Sequence, residues 1–305
     1  MIAPNLKTQS LKKKHFIENI EGLLFSILPV IRFALFRLIP LVVGLAMAFV
    51  TMEYTFDISE GEFCGFDNFT TVLEDPLFWT SIKNTFVLAL AWPISMAIAL
   101  LCSVLLTKKL RGINFFRTVY FLPFVCSLVA ITLMWNIIFD YNYGVVNQII
   151  DGIFGTKLNW KGDPFWFQVG LIIMIVWSST GYKIILLTAA LTTIDRSYYE
   201  AADLDGANAW QKFTKITLPA ISPTMFFLLI TGLINTLQEF TRSEIWSASG
   251  GPNNAGVTIV FYLYRQAFQY SNMGIASAVA WLLSILIVII TIINFVASKK
   301  WVKYD

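Results

Sequence analysis

Charge is what this sequence has least of. Only 13% of its 305 residues are Asp, Glu, Lys or Arg, about half the share of a soluble domain. Histidine is almost absent: His15 stands alone, in a basic N-terminal stretch. One histidine gives a His-based metal site or catalytic triad nothing to work with. The three cysteines, Cys64, Cys102 and Cys126, form no CxxC pair and no metal-ligand spacing, which argues against a disulfide framework or a zinc site. There is no GxxxxGK[ST] stretch, so nothing here cradles a nucleotide phosphate. A net charge of +3 offers no basic face for nucleic acid.

Apolar residues are what is abundant, at 57% of the chain with a mean hydropathy of +0.68. So apolar a chain cannot hide its side chains in one core, and lipid must be part of its solvent. Crossing a hydrocarbon core takes about 20 mostly apolar residues. Each crossing must satisfy its own backbone, which leaves helices or a closed barrel. Barrel strands alternate apolar and polar positions over about 10 residues; the runs here are longer and apolar on every side. The expectation is an all-α integral membrane protein with about six transmembrane helices, over 33–55, 84–106, 115–139, 166–190, 221–246 and 275–298. Residues 1–22 read as a basic tail and 23–305 as a single transmembrane domain. The first span is the least regular. Arg32 and Arg37 must snorkel, 23–31 reads as a short interfacial stretch, and Ala46-Met47-Ala48 imitates a signal cleavage site. Five further spans favour an uncleaved anchor.

The distribution of charge sets an orientation. One side collects fourteen Lys and Arg: Lys7, Lys12, Lys13 and Lys14; Lys108, Lys109, Arg111 and Arg117; Arg196, Lys212 and Lys215; Lys299, Lys300 and Lys303. The other holds five at most: Lys83, Lys157, Lys161, Arg265 and Arg242. Both termini are thus expected in the cytoplasm. The first outer loop is acidic, with Glu53, Asp57, Glu60, Glu62, Glu74 and Asp75. Trp79, Trp160, Trp166 and Trp301 fall near proposed span ends, where interfacial anchors belong.

The cytoplasmic segment 194–219 is long for a connection. It reads as helix, break, helix. Asp195 or Ser197 can cap the first helix, with Glu200 as a capping-box partner for Ser197. Gly206 permits the positive φ that ends it, and Pro219 closes the segment. Tyr198, Ala201, Ala202 and Asp205 share a narrow face of mostly small side chains. Such a face suits either a helix lying on the membrane or a knob gripped by a soluble partner.

The same segment carries a pattern. Glu200-Ala201-Ala202, three residues, Gly206, nine residues, Ile216 and then Leu218-Pro219 resembles the EAA loop of binding-protein-dependent ABC importer permeases. Phe66-Asp67-Asn68-Phe69, the run Phe78–Thr85, Phe115-Phe116-Arg117-Thr118-Val119-Tyr120-Phe121-Leu122-Pro123 and Gly250-Gly251-Pro252 are similar to its carbohydrate-uptake, MalF-like and glycerol-phosphate branch. Ala248-Ser249 departs from the Leu-Thr frequent before Gly-Gly-Pro. The resemblance covers about residues 25–300. It implies a type I ABC importer transmembrane domain in the bacterial cytoplasmic (inner) membrane, a transport subunit rather than an enzyme. It further implies a second homologous permease subunit, two ATP-binding subunits that hold the ATP and Mg, and an extracytoplasmic solute-binding protein. By the same resemblance Glu200, Ala201, Ala202, Asp205 and Gly206 would dock the ATPase, and Gly250, Gly251 and Pro252 would face the binding protein.

Polar residues inside spans are costly and so are functional candidates. Asn235, Gln238, Glu239 and Arg242 are spaced to share one face of a continuous fifth helix, and a sugar needs such a lining. Trp135, Tyr182 and Trp177 are candidates for its apolar face. Glu239 and Arg242 pairing with each other is the competing reading, and Lys183 reads as a snorkelling or helix-pairing residue before a substrate contact. The small clusters Ser178–Gly181 and Gly274–Ala278 read as close-packing sites, and Pro93 and Pro123 as kinks. Loop 247–274 is either the mouth of the pathway or a re-entrant packing segment. A rival reading makes the chain an ion-coupled secondary transporter with Glu239 and Lys183 as the ion site; the EAA segment argues against it.

Overall fold

The computed structural model describes residues 22, 25–52, 61–107 and 112–303. The tail residues 1–21, with their four lysines, lie outside these, as do Glu53, Asp57, Glu60, Lys108, Lys109 and Arg111. Among the described residues, four helices are long and apolar enough to cross a membrane: α1 Phe25–Met47, α3 Pro76–Leu106, α7 Pro164–Thr192 and α13 Met273–Ser298. A short helix, α2 Asp67–Glu74, precedes α3. Two bent pairs would bring the number to six. The first pair is α4 Ile113–Val125 with α5 Leu128–Ile138. The second joins α9 Ala209–Ala220 to α10 Ser222–Leu237. The remaining helices are short: α6 Val145–Phe154, α8 Arg196–Leu204, α11 Thr241–Trp246 and α12 Ile259–Tyr264.

The first span lies about eight residues earlier than expected. Arg32 and Arg37 do not interrupt α1; both are exposed on its surface, where long stems let the charge reach polar surroundings. Residues 25–31 of the stretch expected at the interface are therefore part of the helix. By Val50–Thr51 (β1) the chain is already extended and pairs antiparallel with Glu62–Phe63 (β2), as β-branched residues favour. The turn Ala34–Leu38 is a π-turn ahead of Pro40, whose ring would otherwise strike a preceding carbonyl.

Caps explain where the long helices begin. Asp75 accepts the Leu77 N–H at 2.8 Å, with Pro76 in the first turn. Asp163 accepts from Phe165 and Trp166 at 2.9 and 3.0 Å, again followed by Pro. Both are the Asx-cap, Pro-at-N1 arrangement that satisfies free N–H groups. Pro93 lies just after the seam at Leu90 between Pro76–Ala89 and Ala91–Leu106.

The third expected span, 115–139, is not one helix. It turns by 108° between α4 and α5, at Cys126-Ser127, just after Pro123. The fifth, 221–246, is also interrupted. Helix α10 ends at Leu237, and Gln238–Phe240 lie outside helix before α11 begins. Segment 247–274 folds back inward: Phe261 and Tyr262 of α12 are buried in one cluster with Val279 and Leu283 of α13 and Phe78 of α3. Trp160 is no interfacial anchor. It is buried, stacks on Phe139 at 4.4 Å and donates to Asn147 Oδ1 at 3.1 Å.

Small residues set the closest approaches. A Cβ on Gly181 of α7 would overlap the carbonyl oxygen of Tyr120 on α4, and one on Gly232 of α10 would overlap the Trp92 indole of α3. One on Gly274 would meet the backbone at Val50 and the Asn68 side chain. Gly181→Ala should therefore lower the thermal unfolding temperature of the purified protein, by the about 1–3 kcal/mol of overpacking. Gly152→Ala on α6, where an added Cβ meets nothing within 4 Å, should leave it unchanged or raise it. Equal behaviour of the two variants in a detergent melt would refute close packing at Gly181.

Candidate translocation site

Where α3, the α4–α5 bend, α7 and α10 meet, they enclose a cavity of about 270 Å³. The two interruptions of helix create it. Pro123, Cys126 and Leu128 at the α4–α5 bend form one wall, and Asn235, Glu239 and Arg242 around the end of α10 another. Irregular backbone at membrane depth is tolerated where it lines a cavity or is buried in protein.

The unwound stretch after α10 is held by side chains. Arg242 pairs with Glu239 and donates to Ser178 Oγ of α7 at 2.7 Å. The Arg242 N–H reaches Glu239 Oε1 at 3.2 Å, and Thr258 Oγ1 donates to the Glu239 carbonyl at 2.5 Å. Both ionised side chains are less than 10% exposed. Lys183 of α7 donates to Ser95 Oγ of α3 at 2.6 Å and to Ser179 Oγ at 3.0 Å. It joins helices and also lines the cavity.

The structure brings together three of the six residues expected to line a pathway: Asn235, Glu239 and Tyr182. Tyr182 stacks on Phe124 at 4.9 Å, giving the cavity an aromatic wall. Gln238 lies elsewhere. The expected face through Asn235, Gln238, Glu239 and Arg242 required an unbroken helix, and the break at Gln238 rotates its side chain out of the set. Trp135 and Trp177 line a different, larger and mainly apolar groove of about 1000 Å³ between α4, α5 and α7, where their rings meet edge to face at 5.7 Å. Trp92 and Ser95 are the residues that sequence reasoning passed over, whereas Lys183 pairs helices as its favoured reading had it. Ser95 was detectable as a hydroxyl in the middle of an apolar span.

The Gly-Gly-Pro turn is built into the body. Gly250 and Gly251 have φ of +81° and +74°, and Phe167 of α7 packs so close to Gly251 that a Cβ would overlap it. Asn84 of α3 donates to the Asn254 and Val257 carbonyls at 2.8 and 3.0 Å, and Gln168 of α7 donates to Asn84 Oδ1 at 2.8 Å. Pro252 begins the short turn that follows, with its side chain partly exposed.

On the opposite side of α7, Asp195 caps α8 by accepting the Ser197 N–H at 2.9 Å, and this bond holds its carboxyl below the usual range. The cap is Asp195; no Ser197–Glu200 capping box forms. Gly206 takes φ +72° and ends α8. Asn208 and Gln211 then cap α9 reciprocally. Glu200, Ala201, Asp205 and Gly206 are exposed, Ala202 is partly so, and no residue of α8 is buried. Two links tie α8 to α9: Tyr199 Oη to Thr217 Oγ1 at 2.9 Å, and Lys212 with Asp203. The π-turn Phe213–Thr217 precedes Pro219, which widens the helix instead of closing it.

Residues 95–302 match the model of the binding-protein-dependent transport system inner membrane component family. The chain belongs to that family. As an ABC transporter permease it has well-covered relatives. It is 34% identical over 290 residues to the lactose transport system permease protein LacF of Rhizobium radiobacter, spanning 92% of this chain and 95% of that protein. It is also 34% identical over 304 residues to the probable ABC transporter permease YesP of Bacillus subtilis, spanning 98% and 96%. Among solved structures, a chain of a bacterial ABC transporter for import of the acidic polysaccharide alginate superposes with a TM-score of 0.77 at 26% identity, covering 95% of this chain and 100% of that one. A second structure of an alginate ABC transporter, in complex with an alginate pentasaccharide-bound periplasmic protein, matches equally well. The named relatives are transport permeases, not enzymes.

Arg242→Leu would leave the Glu239 carboxylate buried without its partner, and should destabilise this permease by about 3 kcal/mol. Arg242→Leu with Glu239→Leu should recover most of that loss, since an apolar pair often replaces a buried ion pair at little cost. A double-mutant cycle of melting temperatures measures the coupling; additive losses would mean that the pair does not hold the break.

Proposed function

We propose that this permease, with a second homologous permease subunit, carries a sugar or oligosaccharide into the cell, delivered by an extracytoplasmic binding protein. Two ATP-binding subunits, which hold the ATP and Mg, would dock on α8 and drive alternating access by rigid-body movement of the spans. The reading takes six spans, each bent pair counted as one, with both termini cytoplasmic as the charge asymmetry indicates. The single observation that carries it is the exposed α8 with its EAA residues. A capped, amphipathic helix with no fully buried residue presents Glu200, Ala201, Ala202, Asp205 and Gly206 as a surface for a partner. The sugar class is supported by relatives named for lactose and for arabinooligosaccharides and by the alginate importer structures. Substrate contacts are assigned to Asn235, Glu239 and Tyr182, and Gly250, Gly251 and Pro252 to the rim facing the binding protein. The ion-coupled alternative is weakened because the Glu239 carboxylate is engaged by Arg242.

The test is coupling. A Cβ at position 206 meets nothing within 4 Å in this chain, so Gly206→Ala carries only the about 1 kcal/mol of a positive φ; Glu200→Lys changes an exposed side chain. Either should cut ATP-dependent uptake by the reconstituted transporter at least about tenfold, the effect of ~1.4 kcal/mol of lost docking, with the melting temperature of the isolated permease held near wild type. Normal uptake by both variants would refute docking through α8.

A further inference from the structure

The charges that line the cavity do not cancel. Lys183 and Arg242 face one carboxylate, Glu239. That carboxylate is already committed: one oxygen pairs with the Arg242 guanidinium and the other accepts the Arg242 N–H. Among the described residues the side-chain ion pairs are Arg242–Glu239 and Lys212–Asp203, and Lys183 belongs to neither. It is 5% exposed. It sits about 14 Å from one end of α7 and about 28 Å from the other, at 1.5 Å per residue. Its two partners are serine hydroxyls, which accept hydrogen bonds but bring no opposite charge. An ammonium has three donors, and the protein engages two of them. The Arg242 Nε, also buried, has no hydrogen-bond partner.

A cation held at this depth without a counter-charge is costly, and a leucine or methionine would join α3 to α7 without that cost. Two buried cationic side chains therefore converge on one cavity that also has a stacked aromatic wall, Phe124 and Tyr182, and an exposed amide, Asn235. We propose that this cavity takes a saccharide bearing an anionic group (carboxylate, sulfonate or phosphate), whose charge Lys183 neutralises while the aromatic wall takes the apolar face of the sugar ring. This rests on the sugar reading above and narrows it to acidic sugars.

The test uses the complete transporter in nanodiscs and measures equilibrium binding of radiolabelled trigalacturonate, of its carboxyl-reduced neutral counterpart, and of inorganic phosphate as competitor. The expected result is that trigalacturonate binds at least tenfold tighter than the neutral sugar. Lys183→Met should abolish that preference without weakening the neutral sugar, and Lys183→Arg should retain it. The Met variant removes a charge from a span, so assembled complex should be recovered in normal yield. Equal binding of both sugars, unaltered in Lys183→Met, would overturn the inference and leave the sugar reading standing. Unaltered binding with a loss of permease pairing in Lys183→Met would also overturn it, by assigning the counter-charge to the second permease. Phosphate competing as well as trigalacturonate would overturn it in favour of a small-anion site. If no saccharide in a panel of acidic and neutral oligosaccharides binds the wild type, the sugar reading itself fails.

Discussion

A backbone group inside a bilayer has no water to bond, so each interruption of a helix must be answered by another part of the chain. The site depends on that constraint. Residues Gln238–Phe240 leave the helical ladder between α10 and α11, and they stay there because Thr258 takes the Glu239 carbonyl and Arg242 ties Glu239 to Ser178 on α7. The returning segment 247–274 is irregular too, and Asn84 and Gln168 supply its bonds from α3 and α7. Thus α7 acts as the frame. It carries Phe167 and Gln168 toward the Gly-Gly-Pro turn, Ser178, Ser179, Tyr182 and Lys183 toward the cavity, and Gly181 against α4.

What was legible in the sequence followed from local physics. The apolar runs at α3, α7 and α13 exceed any soluble requirement, and their ends carry Asp-Pro caps or adjoining glycine. Segment 194–219 was legible for the same reason: Asp195 and Gly206 act within a few residues of themselves, so their roles hardly depend on the rest of the fold. The resemblance of Glu200–Leu218 to the EAA loop then supplied the family.

What was not legible was made by distant partners. No Gly or Pro marks the break at Gln238; Thr258 and Ser178, far away in sequence, stabilise it. A periodic reading of 221–246 therefore placed Gln238 on a face it does not share. Trp160 looked like an anchor because it lies near a span end, yet Asn147 and Phe139 bury it. The first span was displaced because 23–31 was read as a separate interfacial stretch, when the stems of Arg32 and Arg37 let one helix run from Phe25 to Met47.

The two regions of interest are joined by one short path. α9 meets α10 at Ile221, across a 64° turn, and Ile221 is fully buried. Ser222 at the same corner accepts the Lys303 N–H at 2.9 Å, which ties the corner to the residues after α13. On the proposed reading, a displacement of α8 passes through Tyr199–Thr217 to α9 and reaches α10 at this corner. α10 is unbroken from Ser222 to Leu237, so on that reading the motion would be carried along it to Asn235 and Glu239. There it meets the ion pair and the Thr258 bond that hold the break. A side chain set at the end of a stiff helix, next to unwound backbone, moves most for a given tilt. That position, more than the polarity of the residues themselves, is what suits this cavity to opening and closing.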